Sequence, residues 1–97
     1  MTDPIEQAEY EAMCDKNTSP LREETQAWAR ARGLGFSSRY VAAEHLWRFN
    51  MSASGAELLV EFDERGEWAK IDGEMIEEPT ARRVTMALNR WEKTRKP

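Results

Sequence analysis

The stretch Glu57–Glu77, ELLVEFDERGEWAKIDGEMIE, carries two chain-reversal signals in close succession and limits the fold more than any other part of the chain. Asp72-Gly73 is the stronger, because a two-residue hairpin turn needs positive φ at both central positions and Asp-Gly tolerates it. It pairs Ile71 with Glu74 and Ala69 with Ile76. Asp63-Glu64-Arg65-Gly66 is the second, with glycine last in the loop. If all four residues form that loop, Phe62 faces Glu67, Val60 faces Ala69 and Leu58 faces Ile71. A three-residue bulged loop would set Val60 against Lys70, which mixes the faces.

Upstream, Trp47, Phe49 and Met51 alternate with Arg48 and Asn50, the period of a half-buried strand. A helix from Ser38 through Tyr40, Ala43 and Trp47 competes with it. The alternation decides for a strand over 44–51, with irregular chain before it and a turn at Ser-Ala-Ser-Gly. The middle of the chain, 44–77, therefore reads as a meander of three or four antiparallel strands.

Helices flank it. Asp3-Pro4 with Glu6 has the form of a helix start, a capping side chain and a proline at the first helical position. Asp15–Pro20, DKNTSP, reads as a break, and Ser19-Pro20 as a second start. Leu21, Trp28 and Ala31 supply its apolar stripe and Gly33 its stop. Residues 1–33 are thus expected to form a helical hairpin. In residues 80–94 Ala81, Val84, Leu88 and Trp91 share one face, which should pack on the Leu58/Val60/Phe62/Ile71 side of the sheet. The fold class expected is α+β: two N-terminal helices, an antiparallel meander and a C-terminal helix on one sheet face, all in one domain, since 97 residues cannot build two cores.

The sequence gives no support to several function classes. The single histidine, His45, and single cysteine, Cys14, cannot together fill a zinc site, and Cys14 cannot form an internal disulfide. Cys14 has no histidine near it in sequence, and a lone histidine is more often a surface or partly buried polar residue than a catalytic one. Gly33-Leu34-Gly35-Phe36 lacks the strand and spacing of a phosphate loop, and the acidic turns lack the alternating ligands of a calcium loop. No apolar run reaches the ~20 residues of a membrane span, and the acidic N-terminus is unlike a signal peptide. The expectation is a cytoplasmic, non-enzymatic protein without metal or cofactor.

Charge is blocked along the chain. Residues 1–24 carry net −5, 25–50 carry +3, 51–79 carry −7 and 80–97 carry +5, within a total of −4. The register sorts Leu59, Glu61, Trp68, Lys70 and Met75 onto the face opposite the C-terminal helix, three large apolar groups among charges. The default expectation is that the N-terminal helices cover them with Trp28 and Leu21, because monomers seldom leave such clusters in water. Left bare, they form a contact surface with Trp68 as its anchor. With Glu67 and Asp72 at the turns, this surface suits a protein partner, among them a nucleic-acid-binding complex whose basic groove an acidic sheet would mimic. A homodimer through Trp68 is another arrangement open to it. Small acidic inhibitors and adaptors, including those encoded by phages and mobile elements against host defence, share this size and composition. The alternative is a nucleic-acid-binding accessory protein using Arg82, Arg83, Arg90 and Lys93 on the basic last helix.

Overall fold

The computed structural model describes residues 4–53 and 56–95, in the order helix, five strands, helix. The elements are α1 (Pro4–Ala31), β1 (Gly35–Val41), β2 (Leu46–Ala53), β3 (Ala56–Asp63), β4 (Trp68–Ile71), β5 (Glu74–Glu77) and α2 (Ala81–Arg95), with a short 3-10 turn at Ala42–Glu44. The strands form one antiparallel sheet in sequential order, β1-β2-β3-β4-β5. This is the α+β meander expected, but with one N-terminal helix in place of two and a strand the sequence reading missed.

α1 runs through Pro20 without a break. The cost of the missing proline N–H is met by tertiary contacts on both sides of it. Thr18, Leu21, Thr25, Trp28 and Ala29 form a buried stripe at helical spacing, with Ala29 rather than Ala31 completing it. The buried Thr18 and Thr25 hydroxyls donate back to the Cys14 and Leu21 carbonyls, at 2.9 and 2.8 Å. Within the supposed break, the Asn17 amide donates to the Arg65 carbonyl at 3.3 Å, which ties this turn of helix to the β3–β4 loop. The capping role read for Asp3 falls outside the described residues.

β1 replaces the irregular chain expected before residue 44. It pairs with β2 over its full length, from Gly35 opposite Ser52 to Val41 opposite Leu46. The turn between them contains no glycine, asparagine or aspartate. Its left-handed position is taken by His45, at φ 55 and ψ 45, where a non-glycine residue is uncommon. Of the turn expected at residues 52–55, Ser52 and Ala53 instead belong to β2, paired with Glu57 and Ala56, and residues 54 and 55 lie outside the described residues.

At the β3–β4 turn the register differs from the expected one by two residues. Phe62 faces Ala69, Glu61 faces Lys70 and Val60 faces Ile71. The Asp63 carboxylate explains the slip, accepting the backbone N–H groups of Arg65 and Glu67, both at 3.2 Å. The bend therefore spans residues 64–67, with Gly66 at φ 76. A slip of two leaves each side chain on its original face, so the sorting of faces survives. The β4–β5 hairpin is as expected, Ile71 opposite Glu74 and Ala69 opposite Ile76, with Asp72 and Gly73 at φ 52 and 85.

Both helices lie on one face of the sheet. Leu21, Trp28 and Ala29 of α1 and Val84, Ala87 and Leu88 of α2 share a core cluster with Phe49, Met51, Leu58, Val60, Phe62, Ala69, Ile71 and Ile76. The helices run parallel, joined by Thr85 to Glu24 (2.8 Å), Trp28 Nε1 to Asn89 (3.0 Å) and Arg32 to Glu92 (2.6 Å). The Thr80 hydroxyl and carbonyl cap the start of α2 through the Arg83 and Val84 N–H groups.

Candidate functional site

With both helices on one side, no element among the described residues covers the opposite face of the five strands, contrary to the expectation that the N-terminal helices would cover it. Leu21 and Trp28 are spent in the core. The open face carries Arg39 of β1, Arg48 and Asn50 of β2, Leu59 and Glu61 of β3, Trp68 and Lys70 of β4 and Met75 of β5, each alternating with residues turned toward the helices. Among its described residues only Leu46, beside the β1–β2 turn, is buried. Leu59 is 42% and Met75 48% exposed, high for large apolar side chains in ordered strands.

One cross-strand row crosses the whole face: Arg39, Arg48, Glu61, Lys70, Met75. Its centre is self-neutralised. Arg48 donates to Glu61 Oε2 from Nε at 3.1 Å and Nη2 at 2.9 Å, and Nη2 also reaches Glu44 at 2.8 Å. The Glu61 hydrogen bond, followed by that of Glu44, raises the Arg48 pKa above its ordinary value. Lys70 sits 6.0 Å from the Trp68 ring centroid, covering one flank of the indole with charge. Trp68 opposes Glu77 and lies diagonally across from Met75, so the two form an apolar pair beside the charged row. A hollow of about 510 Å³ lies past Leu59, lined on this face by Ser37, Asn50, Ser52, Glu57, Leu59 and Asp72.

Of the seven residues singled out in the sequence, Leu59, Glu61, Trp68, Lys70 and Met75 come together on this face. Asp72 stands at its rim. Glu67 does not join them: it lies on the 64–67 bend at the sheet's far end, where Gly66 approaches Asn17 of α1. The sequence reading did not place Arg39, because β1 was not visible to it, and did not bring Arg48 to this face, because the β2–β3 register that sets it opposite Glu61 was not read.

The same far end holds a polar cluster with no counterpart in the sequence reading. Glu64 accepts hydrogen bonds from both Tyr40 and Tyr10, the latter at 3.1 Å, and His45 Nδ1 lies 3.5 Å from it. Arg65 Nε donates to the Tyr10 hydroxyl at 2.9 Å. Hydrogen bonds from Tyr40 first, then Tyr10, with His45 and Arg65 behind them, lower the Glu64 pKa; the reciprocal bond raises that of Tyr40 to about 12. A cleft of about 320 Å³ beside it is walled by Tyr10, Tyr40, Trp47 and Cys14 with Glu11 and Asp15. The cluster fastens α1 to two sheet turns. Among the described residues no group of three or more side chains is placed to hold a metal ion, and no helix is long and apolar enough to cross a membrane.

On α2, Arg82, Arg83, Arg90 and Lys93 share the solvent side with Met86, which is 50% exposed. Among the described residues, Arg83 and Arg90 have internal partners. Arg83 Nη1 donates to the Glu77 and Glu78 carbonyls at 2.6 and 3.2 Å, and Arg90 pairs with Glu74 at 2.9 Å.

Comparison of the chain with protein-family models, with curated proteins and with solved structures finds no match in any of the three.

Proposed function

We propose that this protein is a non-enzymatic binding module, an inhibitor or adaptor that docks the open sheet face onto a larger protein. The observation that supports it best is a sheet with its whole helical cover on one side, leaving Leu59, Trp68 and Met75 around a neutralised Arg48–Glu61 pair on the other. Apolar groups round a tryptophan, with charge beside them, have the composition of an interface anchor and its rim. Glu57, Asp72 and Glu77 ring this face, and the partner surface that fits it is an apolar protrusion bordered by basic groups, such as the wall of a nucleic-acid-binding groove. In that version the rim carboxylates, not Glu61, stand in for phosphates, since Arg48 already balances Glu61.

The test compares three tagged proteins as baits in extract of the source cells: the unaltered chain, a Trp68→Ala/Met75→Asp variant and an Arg82→Ala/Lys93→Ala variant. A protein retained by the first and third but lost from the second is the expected result. Raising salt should weaken its retention if the acidic rim contributes. An identical set of proteins on the first two baits would overturn the reading.

One observation favours a second reading, nucleic-acid binding: the four basic side chains of α2 lie on one solvent-facing side, as phosphate contact requires. It expects the intact protein to retard DNA or RNA in a gel at low salt, and Arg82→Ala/Lys93→Ala to abolish the shift.

A further inference from the structure

The two edges of the sheet are treated differently. β5 has four residues, two of them acidic, and Arg83 caps the carbonyl of Glu77. Short length, charge and a blocked carbonyl are the usual guards of an edge strand. β1 has seven residues in unbroken register with β2, no proline or lysine, and one charge, Arg39. No hydrogen bond among the described residues reaches its outer side.

The ladder identifies which backbone groups face outward. Glu64 N–H bonds to the His45 carbonyl, so the odd-numbered residues of β2 bond toward β3 and the even-numbered ones toward β1. Gly35, Ser37, Arg39 and Val41 therefore bond inward, while Phe36, Ser38 and Tyr40 point N–H and C=O into solvent. The same three carry their side chains on the helix side, where Phe36 is half-buried and Tyr40 is 42% exposed. This edge is thus a bare hydrogen-bonding strand flanked by two incompletely covered aromatic rings.

We infer that β1 pairs antiparallel with β1 of a second copy about a two-fold axis at Ser38, joining the two sheets into one of ten strands. The strand is self-complementary in that register and not in its neighbours. With Ser38 opposite Ser38 of the partner subunit, the outward backbone groups meet one another, and Phe36 lies opposite the partner's Tyr40 twice, an aromatic cross-strand pair. On the open face Arg39 opposes the partner's Ser37. Shifting the axis to Arg39 would set two guanidiniums directly opposite, which is unfavourable. Shifting it to Ser37 would leave both Tyr40 side chains unpaired. The dimer is independent of the docking surface proposed above, since it uses the edge of the sheet and leaves the open face untouched, with Leu59 and Met75 exposed and Trp68 half-buried.

The experiment is sedimentation equilibrium or light scattering of the full chain and three variants. The unaltered protein is expected at twice the 11.3 kDa chain mass, dissociating on dilution. Ser38→Pro removes an outward N–H but no intramolecular ladder bond, and should give a folded monomer by circular dichroism. Ser38→Lys, which sets like charges across the axis, should also dissociate the dimer. Ser37→Glu places a carboxylate opposite Arg39 of the partner subunit at two symmetric sites, and should tighten the dimer roughly fivefold. A monomer at every concentration up to the solubility limit would overturn the inference, as it would if β1 instead receives a peptide from another protein. A dimer indifferent to Ser38→Lys, or loosened by Ser37→Glu, would overturn it as well.

Discussion

At the scale of single residues, the end of the sheet nearest α1 is held by a few polar side chains whose roles are separable. Asp63 closes the 64–67 bend, and Gly66 lets it pass close to α1. A Cβ on Gly66 would stand 3.1 Å from Asn17 Cβ and 3.2 Å from the Asn17 carbonyl oxygen, at a φ of 76. The left-handed backbone alone costs about 1–2 kcal/mol for alanine. Gly66→Ala should therefore lower the melting temperature by at least about 5 °C; an unchanged transition would mean the loop is not pinned to α1. Tyr40 and Glu64 make stability depend on pH at both ends. The Tyr40 pKa rises from 10.0 to about 12 on folding, so its contribution is complete below pH 10 and is lost as pH climbs through 12. The lowered Glu64 pKa works in the other direction, its contribution disappearing as pH falls below the ordinary carboxylate range. Tyr40→Phe should flatten the alkaline limb of a stability–pH curve and leave a native-like far-ultraviolet spectrum. An alkaline limb of unchanged slope would show that the hydroxyl contributes nothing.

At the scale of elements, the errors of the sequence reading have local causes. Period-two patterning with Asp-Gly made β3, β4 and β5 plain, and the 3.6 spacing of Val84, Leu88 and Trp91 did the same for α2. β1 was hidden because its turn lacks any residue that signals one: His45 holds the left-handed position, and Ser37-Ser38-Arg39 dilutes the alternation of Phe36 and Tyr40. α1 was divided because local propensity at Ser19-Pro20 outweighs, in sequence, a stripe that acts only once the sheet is in place. The proline still has a local cost. It removes the N–H that would bond the Lys16 carbonyl, and its ring is exposed, so no packing depends on it. Pro20→Ala should raise stability by about 1–2 kcal/mol, less than the ~3 kcal/mol interior penalty because the proline also restricts the unfolded chain. Thermal melts of the pair of proteins decide this, and a loss of stability would show that Pro20 shapes the helix for its dock on the sheet.

At the scale of the whole molecule, two helices on one side of five strands make a two-layer protein with an apolar inner face and a mixed outer one. This one-sidedness was legible only in part. The alternation in β3 and β4 sorts Leu58 from Leu59 and Trp68 from Ala69, but which helices cover which face depends on where α1 lies, and that is decided by Trp28, Leu21 and the Tyr10–Glu64 cluster acting across the fold. The basic half of the open face was hidden for a related reason, since Arg39 joins it through the β1–β2 register and Arg48 meets Glu61 through the β2–β3 register. Two adjacent leucines report on the layering. Leu58 is 1% exposed within the core cluster, while Leu59 is 42% exposed on the open side. Leu58→Ala leaves a cavity beneath the helices and should cost about 2–5 kcal/mol. Leu59→Ser removes a side chain that water already reaches and should change stability by no more than about 0.5 kcal/mol. Chemical denaturation of both variants gives the comparison directly. If Leu59→Ser proved as damaging as Leu58→Ala, the second face would have to be covered within the monomer, and a surface free to meet a partner would not exist.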